Sequence, residues 1–249
     1  GAGTLTVLKS SIPYVAAVTN HRAAFGGLDA ETLESAKLRA PEELRTRDRA
    51  VTAEDYEFLA RKASRRVARV RCIQVQGDGS AGSVPPGTVE MLVLPIIPRE
   101  TERTLDSLQP PPDLLEEVST YLDDRRLLGT SLVLDGPSYI GVRVEAAIIP
   151  VDGADPDRVL AAVDTGLRDY LDPLIGGSEG KGWPFGRNIS LAEVQSLIQG
   201  IRGVDFVQDV TLYQVDTETG ESRAAGRQVI LPEDVLILPY PSSITVADR

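Results

Sequence analysis

The second half of the chain shows the clearest alternation of apolar and polar residues. From Tyr139 to Ile149 apolar side chains occupy every second position, which predicts a strand with one buried face. Asp155-Pro156 marks the start of an amphipathic helix, and Ser190, with Glu193 three residues later, caps another. Two further strands complete a βααββ unit, over residues 204–215 and 228–238.

The preceding stretch mixes strands and helices on a smaller scale. Strands over residues 67–75 and 88–97 predict an antiparallel hairpin, and a helix and a short strand at 132–134 follow it. This ββαβ order excludes a pure helical bundle and a pure β-sandwich. The sequence therefore predicts an α+β protein with two small ferredoxin-like modules, over residues 67–138 and 139–249.

Residues 1–66 are predicted to form an extended arm and a helical connector. Residues 1–19 alternate weakly and contain Pro13, which favours an extended arm or an edge strand. Residues 20–66 contain the start signals of three short helices. These signals are Asp29, Pro41 and a capping box from Thr52 to Asp55.

The charge distribution argues for protein partners. The net charge of −11 disfavours general nucleic-acid binding, although residues 39–71 carry ten Lys or Arg against six Asp or Glu. This basic stretch favours contacts between copies or with an acidic partner, or is simply a solvated helix face. No apolar run approaches the ~18 residues that cross a bilayer, so we expect no membrane insertion.

The side chains that most often carry catalysis are scarce. His21 is the only histidine, Cys72 the only cysteine, and no G-x-S-x-G motif occurs. Cys72 lies in an apolar strand, where a free thiol usually belongs to the core. The Gly-rich loop 176–182 fails as a phosphate-binding loop because it follows a helix and has no hydroxyl after Lys181.

The carboxylate groups do not match a metal site. Asp123 and Asp124 are adjacent on a helix and point in different directions, and the acidic residues near Asp155 surround a helix start. Neither group has the spacing of an EF-hand loop. We therefore expect no metal, no cofactor and no enzymatic activity.

Trp183 and Phe185 are rare aromatic residues that follow the Gly-rich loop. They could cover the helix below them as part of the core, or they could form the centre of an interface with another protein. The core interpretation is favoured.

Residues 20–56 contain a closely spaced set of motifs: Asn20, Ala23-Ala24, Gly26-Gly27, Asp29, Glu31-Thr32, Arg39-Ala40-Pro41, Leu44-Arg45, Arg49-Ala50-Val51-Thr52 and Asp55-Tyr56. In these residues the chain resembles the baseplate J-like or wedge proteins of contractile phage tails and contractile injection systems. A weaker likeness continues through Gly182–Gly186 and Leu231–Val235. Members of this family are usually longer at the N-terminus, so the chain resembles their C-terminal part.

The resemblance implies a structural role in an assembly. Copies would associate with each other, with a second wedge protein and with sheath-initiating and spike-hub proteins, forming a ring around the central spike that links it to the sheath. Assembly would take place in the bacterial cytoplasm, and the phage-tail-like particle could be released. The residues expected at protein interfaces are Asn20, Arg39, Arg45, Arg49, Asp55, Tyr56, Trp183 and Phe185.

Other interpretations stay open at this point. Arg49 and Asp55 could stabilise a turn within the chain instead of contacting a partner. The protein could also be a monomeric adaptor that binds its partner by strand addition through residues 1–19. An enzyme of an unrecognised class would need a pocket with perturbed titratable groups.

Overall fold

The chain forms two compact units, residues 1–47 and 48–249. The structure, a computed structural model, describes residues 1–10, 12–24, 31–74, 85, 87–99 and 101–247. The predicted helix start at Asp29 and most of the predicted loop 77–87 lie outside these residues. Helices and mixed sheets are both present, so the predicted α+β class is confirmed.

Helices and strands alternate along most of the described chain. The helices are α1 Leu33–Thr46, α2 Ala53–Ala63, α3 Leu105–Leu108, α4 Pro112–Asp123, α5 Pro156–Leu171 and α6 Leu191–Gln199. The strands are β1 Val67–Gln74, β2 Thr88–Pro95, β3 Ser131–Asp135, β4 Ser138–Pro150, β5 Ile189–Ser190, β6 Val204–Val215, β7 Ser222–Ala224, β8 Gln228–Val229, β9 Val235–Pro239 and β10 Ser243–Val246.

The described part of the first unit contains one helix, α1. Helix α1 runs through Pro41 without ending, so the predicted start of a separate helix at Pro41 is wrong. Proline removes one amide donor from the helix interior, but the residues on both sides keep their helical conformation. Glu34 near the start and Arg45 near the end suit the helix dipole.

The first sheet of the second unit has the strand order β1-β2-β3. Strands β1 and β2 form the predicted antiparallel hairpin, whereas β3 runs parallel to β2 after the crossover through α4. Helices α2 and α4 pack with this sheet around a shared apolar core. This sheet belongs to the predicted α+β class but does not have the strand order of a ferredoxin-like fold. In that fold a further strand lies between the two parallel strands of a split βαβ unit, whereas β2 and β3 are direct neighbours here.

The second sheet is built around the long strand β4. Strand β6 pairs antiparallel with one side of β4, and β7 pairs antiparallel with the last part of β6. On the other side, β9 and β10 pair in succession with the first and second parts of β4, both parallel to it. The predicted strand 228–238 is therefore divided into β8 and β9, which belong to different sheets.

The described residues of the second unit form three apolar clusters. One lies under the first sheet and another lies between the second sheet and helices α5 and α6. The third cluster joins side chains of β2 and α3 to those of β4 and β9, including Leu94, Leu108, Tyr139 and Leu236. The predicted module boundaries at residues 66 and 138 stay a prediction.

Candidate functional site

Asn20 is hydrogen-bonded to backbone groups at the start of the chain. Its Nδ2 donates to the carbonyl of Gly1 at 2.9 Å and to that of Arg22 at 2.7 Å, and its Oδ1 accepts from the amide of Leu5 at 3.0 Å. Its backbone carbonyl accepts from the amide of Gly3 at 2.8 Å. Asn20 therefore stabilises the backbone conformation at the start of the first unit through hydrogen bonds within the chain. Its predicted role at an interface stays a prediction.

Most large apolar side chains in the described part of the first unit are exposed. Among its described residues no large apolar side chain is buried. The exposed ones are Leu5, Val7, Leu8, Ile12, Tyr14, Val15, Leu33, Leu38 and Leu44. An apolar surface of this extent usually marks a site of contact with another protein. A helix as short as α1 is also marginal in water without such a contact.

The three arginines predicted at an interface lie at the surface. Arg39 on α1 pairs with Glu31 and Glu43. Arg45, near the end of the same helix, is exposed, and so is Arg49 in the second unit. Their positions allow contact with a partner, and whether they make one stays a prediction.

Asp55 and Tyr56 are buried at the start of α2. Thr52 Oγ1 accepts from the amide of Asp55 at 3.3 Å, and Asp55 Oδ2 accepts from the amide of Thr52 at 2.9 Å, which confirms the predicted capping box. Tyr56 belongs to the core under the first sheet, and burial raises the pKa of its hydroxyl. Both residues thus stabilise the fold of the second unit, whatever contacts they make in addition.

Trp183 is fully buried, as the core interpretation predicts. Its Nε1 donates to the carbonyl of Arg187 at 2.9 Å, and the ring of Tyr170 meets it edge-on with centroids 5.6 Å apart. Phe185 is partly buried, and the guanidinium of Arg69 lies 5.2 Å from its ring centroid. The aromatic pair therefore anchors the Gly-rich loop to the body of the second unit.

Two arginines from the region of the first sheet hold the loop that follows α5. Arg69 on β1 donates to the carbonyl of Pro173 and, at 2.8 Å, to that of Trp183. Arg103 Nε donates to Asp172 Oδ2 at 2.9 Å, and both side chains are only 9% exposed. Burial lowers the pKa of Arg69, because leaving water disfavours the cation. We call these contacts the arginine joint.

The arginine joint is the feature that sequence reasoning missed. Arg69 lies 114 residues before Trp183, and Arg103 lies 69 residues before Asp172. No local pattern connects positions so far apart. The only signal in the sequence is that Arg69 alternates with the apolar residues of a strand, where a charged side chain must lie at the surface or find a partner.

The basic stretch at residues 39–71 is partly neutralised within the chain. Arg66 pairs with Asp113 at 2.6 Å and with Glu117 at 2.7 Å on α4, and its hydrogen bonds lower the pKa of both carboxyl groups. Lys62 lies 3.7 Å from Asp48. The basic patch is thus smaller than the charge count of the sequence indicates.

A cleft of about 520 Å³ lies beside the arginine joint. Its lining mixes Arg99, Glu102, Arg168 and Asp169 with the segment Pro239–Pro241, and contains neither histidine nor cysteine. Within the part of the chain that the structure describes, no group of three or more His, Cys, Asp or Glu could hold a metal. The cleft offers no pairing of a nucleophile with a histidine base.

Cys72 is buried on β1. Burial raises the pKa of its thiol to about 11, so the nucleophilic thiolate is disfavoured at neutral pH.

Among the described residues, no helix is both long enough and apolar enough to span a bilayer.

Comparison with known proteins shows a likeness of fold to a solved structure. No protein-family model matches the chain, and no curated protein sequence does. The fold is similar to that of a chain in the cryo-electron microscopy structure of the anti-feeding prophage baseplate, which was six-fold symmetrised. The TM-score is 0.60 at 16% sequence identity, over 94% of this chain and 47% of that chain. The protein therefore shares a fold with a baseplate chain and spans about half of its length.

Proposed function

We propose that this protein is a structural component of the baseplate of a contractile tail or contractile injection system. The resemblance of residues 20–56 to baseplate wedge proteins supports this proposal, and so does the likeness of fold to an anti-feeding prophage baseplate chain. These two similarities rest on different information, since one concerns residue identities and the other the path of the backbone.

The uncovered apolar surface of residues 1–47 carries the proposal of an assembly role. Covering one exposed leucine stabilises a complex by about 1.5–3 kcal/mol. Leu38 and Leu44 are 79% and 77% exposed on α1, and the exposed side chains of residues 1–15 add to this surface. An isolated chain leaves this apolar surface in water and lacks this stabilisation. A chain in an assembly gains it by burying the surface against its partners.

In this proposal the protein acts as a wedge subunit and catalyses no reaction. Its copies contact each other and a second wedge protein, and together they surround the spike hub and link it to the sheath. The subunits assemble in the bacterial cytoplasm and become part of a phage-tail-like particle. The exposed arginines Arg39, Arg45 and Arg49 supply polar contacts beside the apolar ones.

The proposal is tested by changing exposed leucines of α1. The double variant Leu38→Asp with Leu44→Asp should fold normally, because neither side chain is buried, but should be lost from particles purified from the native host. Phe206→Asp is the matched control, because Phe206 is 55% exposed on β6 in the second unit. Cryo-electron microscopy of the particles shows whether the subunit is present.

Two outcomes would contradict the proposal. One is a wild-type chain that purifies only as a monomer, with no particle and no neighbouring protein attached. The other is a double variant that enters particles as well as the Phe206→Asp control does. A single partner in a small soluble complex would instead favour the monomeric adaptor.

A further inference from the structure

Two sheet edges of the second unit are closed by side chains. At β1, Glu57 Oε1 accepts from the backbone amide of Cys72 at 3.0 Å. At β6, Gln199 Nε2 donates to the carbonyl of Asp205 at 2.8 Å while its Oε1 accepts from the amide of Val207 at 3.2 Å. Both side chains occupy backbone positions that another strand would use, so strand addition at these places is blocked.

The outer edge of β3 has no such cover. Ser131 donates its amide to the carbonyl of Gly87, on the side of β2. Because backbone groups alternate in direction along a strand, the amides of Leu132 and Leu134 point to the opposite side. Within the described part of the chain, no strand and no side chain is hydrogen-bonded to that side of β3.

Exposed apolar side chains accompany this open edge. Val133 is 46% exposed at the centre of β3, and Leu127 and Leu128 are exposed in the turn that leads into the strand. An open strand with apolar side chains is a template for pairing with another chain. The fold thus protects places on the edges of β1 and β6 by side-chain hydrogen bonds and leaves the outer edge of β3 available.

The segment of residues 4–8 has the properties of a strand that fits this edge. Its sequence alternates Thr-Leu-Thr-Val-Leu, its apolar side chains are exposed, and it has the five-residue length of β3. Among the described residues, the amides of residues 6–8 have no hydrogen-bond partner. In a parallel pairing with β3, Leu5 lies opposite Leu132 and Val7 lies opposite Leu134, so the apolar side chains of the two strands share one face of the sheet.

We propose that residues 4–8 of one copy add to the sheet of a second copy, as a strand parallel to β3 at its outer edge. In this pairing Leu5 and Val7 extend the apolar face formed by Leu132 and Leu134, which pack towards α4. The inference rests on the proposed function, because it names a contact through which copies associate in the assembly.

The edge is tested with the variant Val133→Asp, since a charge at an exposed edge position opposes strand addition. Val246→Asp is the matched control, because Val246 is 45% exposed on another edge strand, β10. Analytical ultracentrifugation of the full-length proteins measures self-association. We expect Val133→Asp to associate roughly tenfold more weakly than wild type and Val246→Asp to associate like wild type.

The identity of the added strand is tested by disulfide formation between two differently tagged proteins. One carries Thr6→Cys and the other Val133→Cys, and Cys72, the only natural cysteine, is buried and changed to Ala in both. Oxidation should give a cross-linked heterodimer of these two proteins. A mixture of Thr6→Cys with Val246→Cys should stay monomeric on a denaturing gel.

The outcomes separate this inference from the proposed function. If wild type enters particles but Val133→Asp associates normally and no cross-link to Val133→Cys forms, the strand addition is wrong and the assembly role stands. If Val133→Asp weakens association but residue 6 does not cross-link, a different segment occupies the edge, and the assignment to residues 4–8 is overturned. A wild-type chain without any association overturns both.

Discussion

Replacing Arg103 by Met should destabilise the second unit strongly, because it leaves the carboxylate of Asp172 buried without its cation. Both side chains of this ion pair are 9% exposed. Removal of one partner of a buried pair costs about 3–5 kcal/mol. Asp172 Oδ1 still accepts from the amides of Leu174 at 2.6 Å and Ile175 at 3.0 Å. Because these hydrogen bonds continue to stabilise the carboxylate, we expect a loss of stability at the lower end of this range, about 3 kcal/mol.

The measurement is the thermal midpoint of unfolding by scanning calorimetry. For a unit of this size each kcal/mol lowers the midpoint by about 2–4 °C, so we expect a fall of about 6–12 °C. Arg158→Met is the matched control, because Arg158 and Asp155 form an ion pair at 3.4 Å with side chains 88% and 55% exposed. An exposed pair of this kind contributes at most about 1 kcal/mol.

The reasoning about the arginine joint is refuted if the two variants unfold at the same temperature. It is also refuted if the double variant Arg103→Met with Asp172→Asn is no more stable than Arg103→Met alone. The double variant removes the unpaired charge, so most of the lost stability should return if the penalty is electrostatic.

Three further predictions follow from single contacts. Asn20→Ala should speed hydrogen exchange at the Leu5 amide, which loses its acceptor, without changing the unfolding temperature of residues 48–249; equal exchange in both proteins would contradict this. Gly141→Ala should cost about 1–3 kcal/mol in urea unfolding, because its Cβ would lie 2.7 Å from the Tyr240 ring and 2.8 Å from Val215 Cβ; an unchanged midpoint would contradict this. The Cys72 thiol should resist iodoacetamide at pH 8 in the folded protein and react once urea unfolds it. Since burial raises its pKa to about 11, the unfolded chain releases this proton first, and its contribution to stability should be lost as the pH rises from about 9 to about 11.

The sequence predicted the elements whose signals are local. The capping box of Thr52 and Asp55 and the helix caps Asp155 and Ser190 are hydrogen bonds between residues at most three apart, and all are present. Alternation predicts the strand at 139–149, because one face of β4 is buried. Two strand-like runs on either side of a Gly-rich loop predict the antiparallel hairpin. The likeness to baseplate proteins likewise depended on residues close together in the chain.

Tertiary structure decided what depends on distant residues. Arg69 and Arg103 meet their partners only because the fold brings β1 and the segment before α3 next to the loop after α5. Trp183 is buried because that loop returns it to the core that the second sheet shares with α5 and α6. The division of the predicted strand 228–238 into β8 and β9 depends on which neighbouring strands supply hydrogen bonds.

The two candidate interfaces, residues 1–19 and the outer edge of β3, also depend partly on sequence and partly on tertiary structure. Composition shows that residues 1–19 carry apolar side chains, but only the fold shows that they stay uncovered in the first unit. The sequence of β3 does not distinguish a central strand from an edge strand, because its alternation is the same in both. Its open edge is a property of strand order, which is set by contacts between elements and not by the residues of β3 alone.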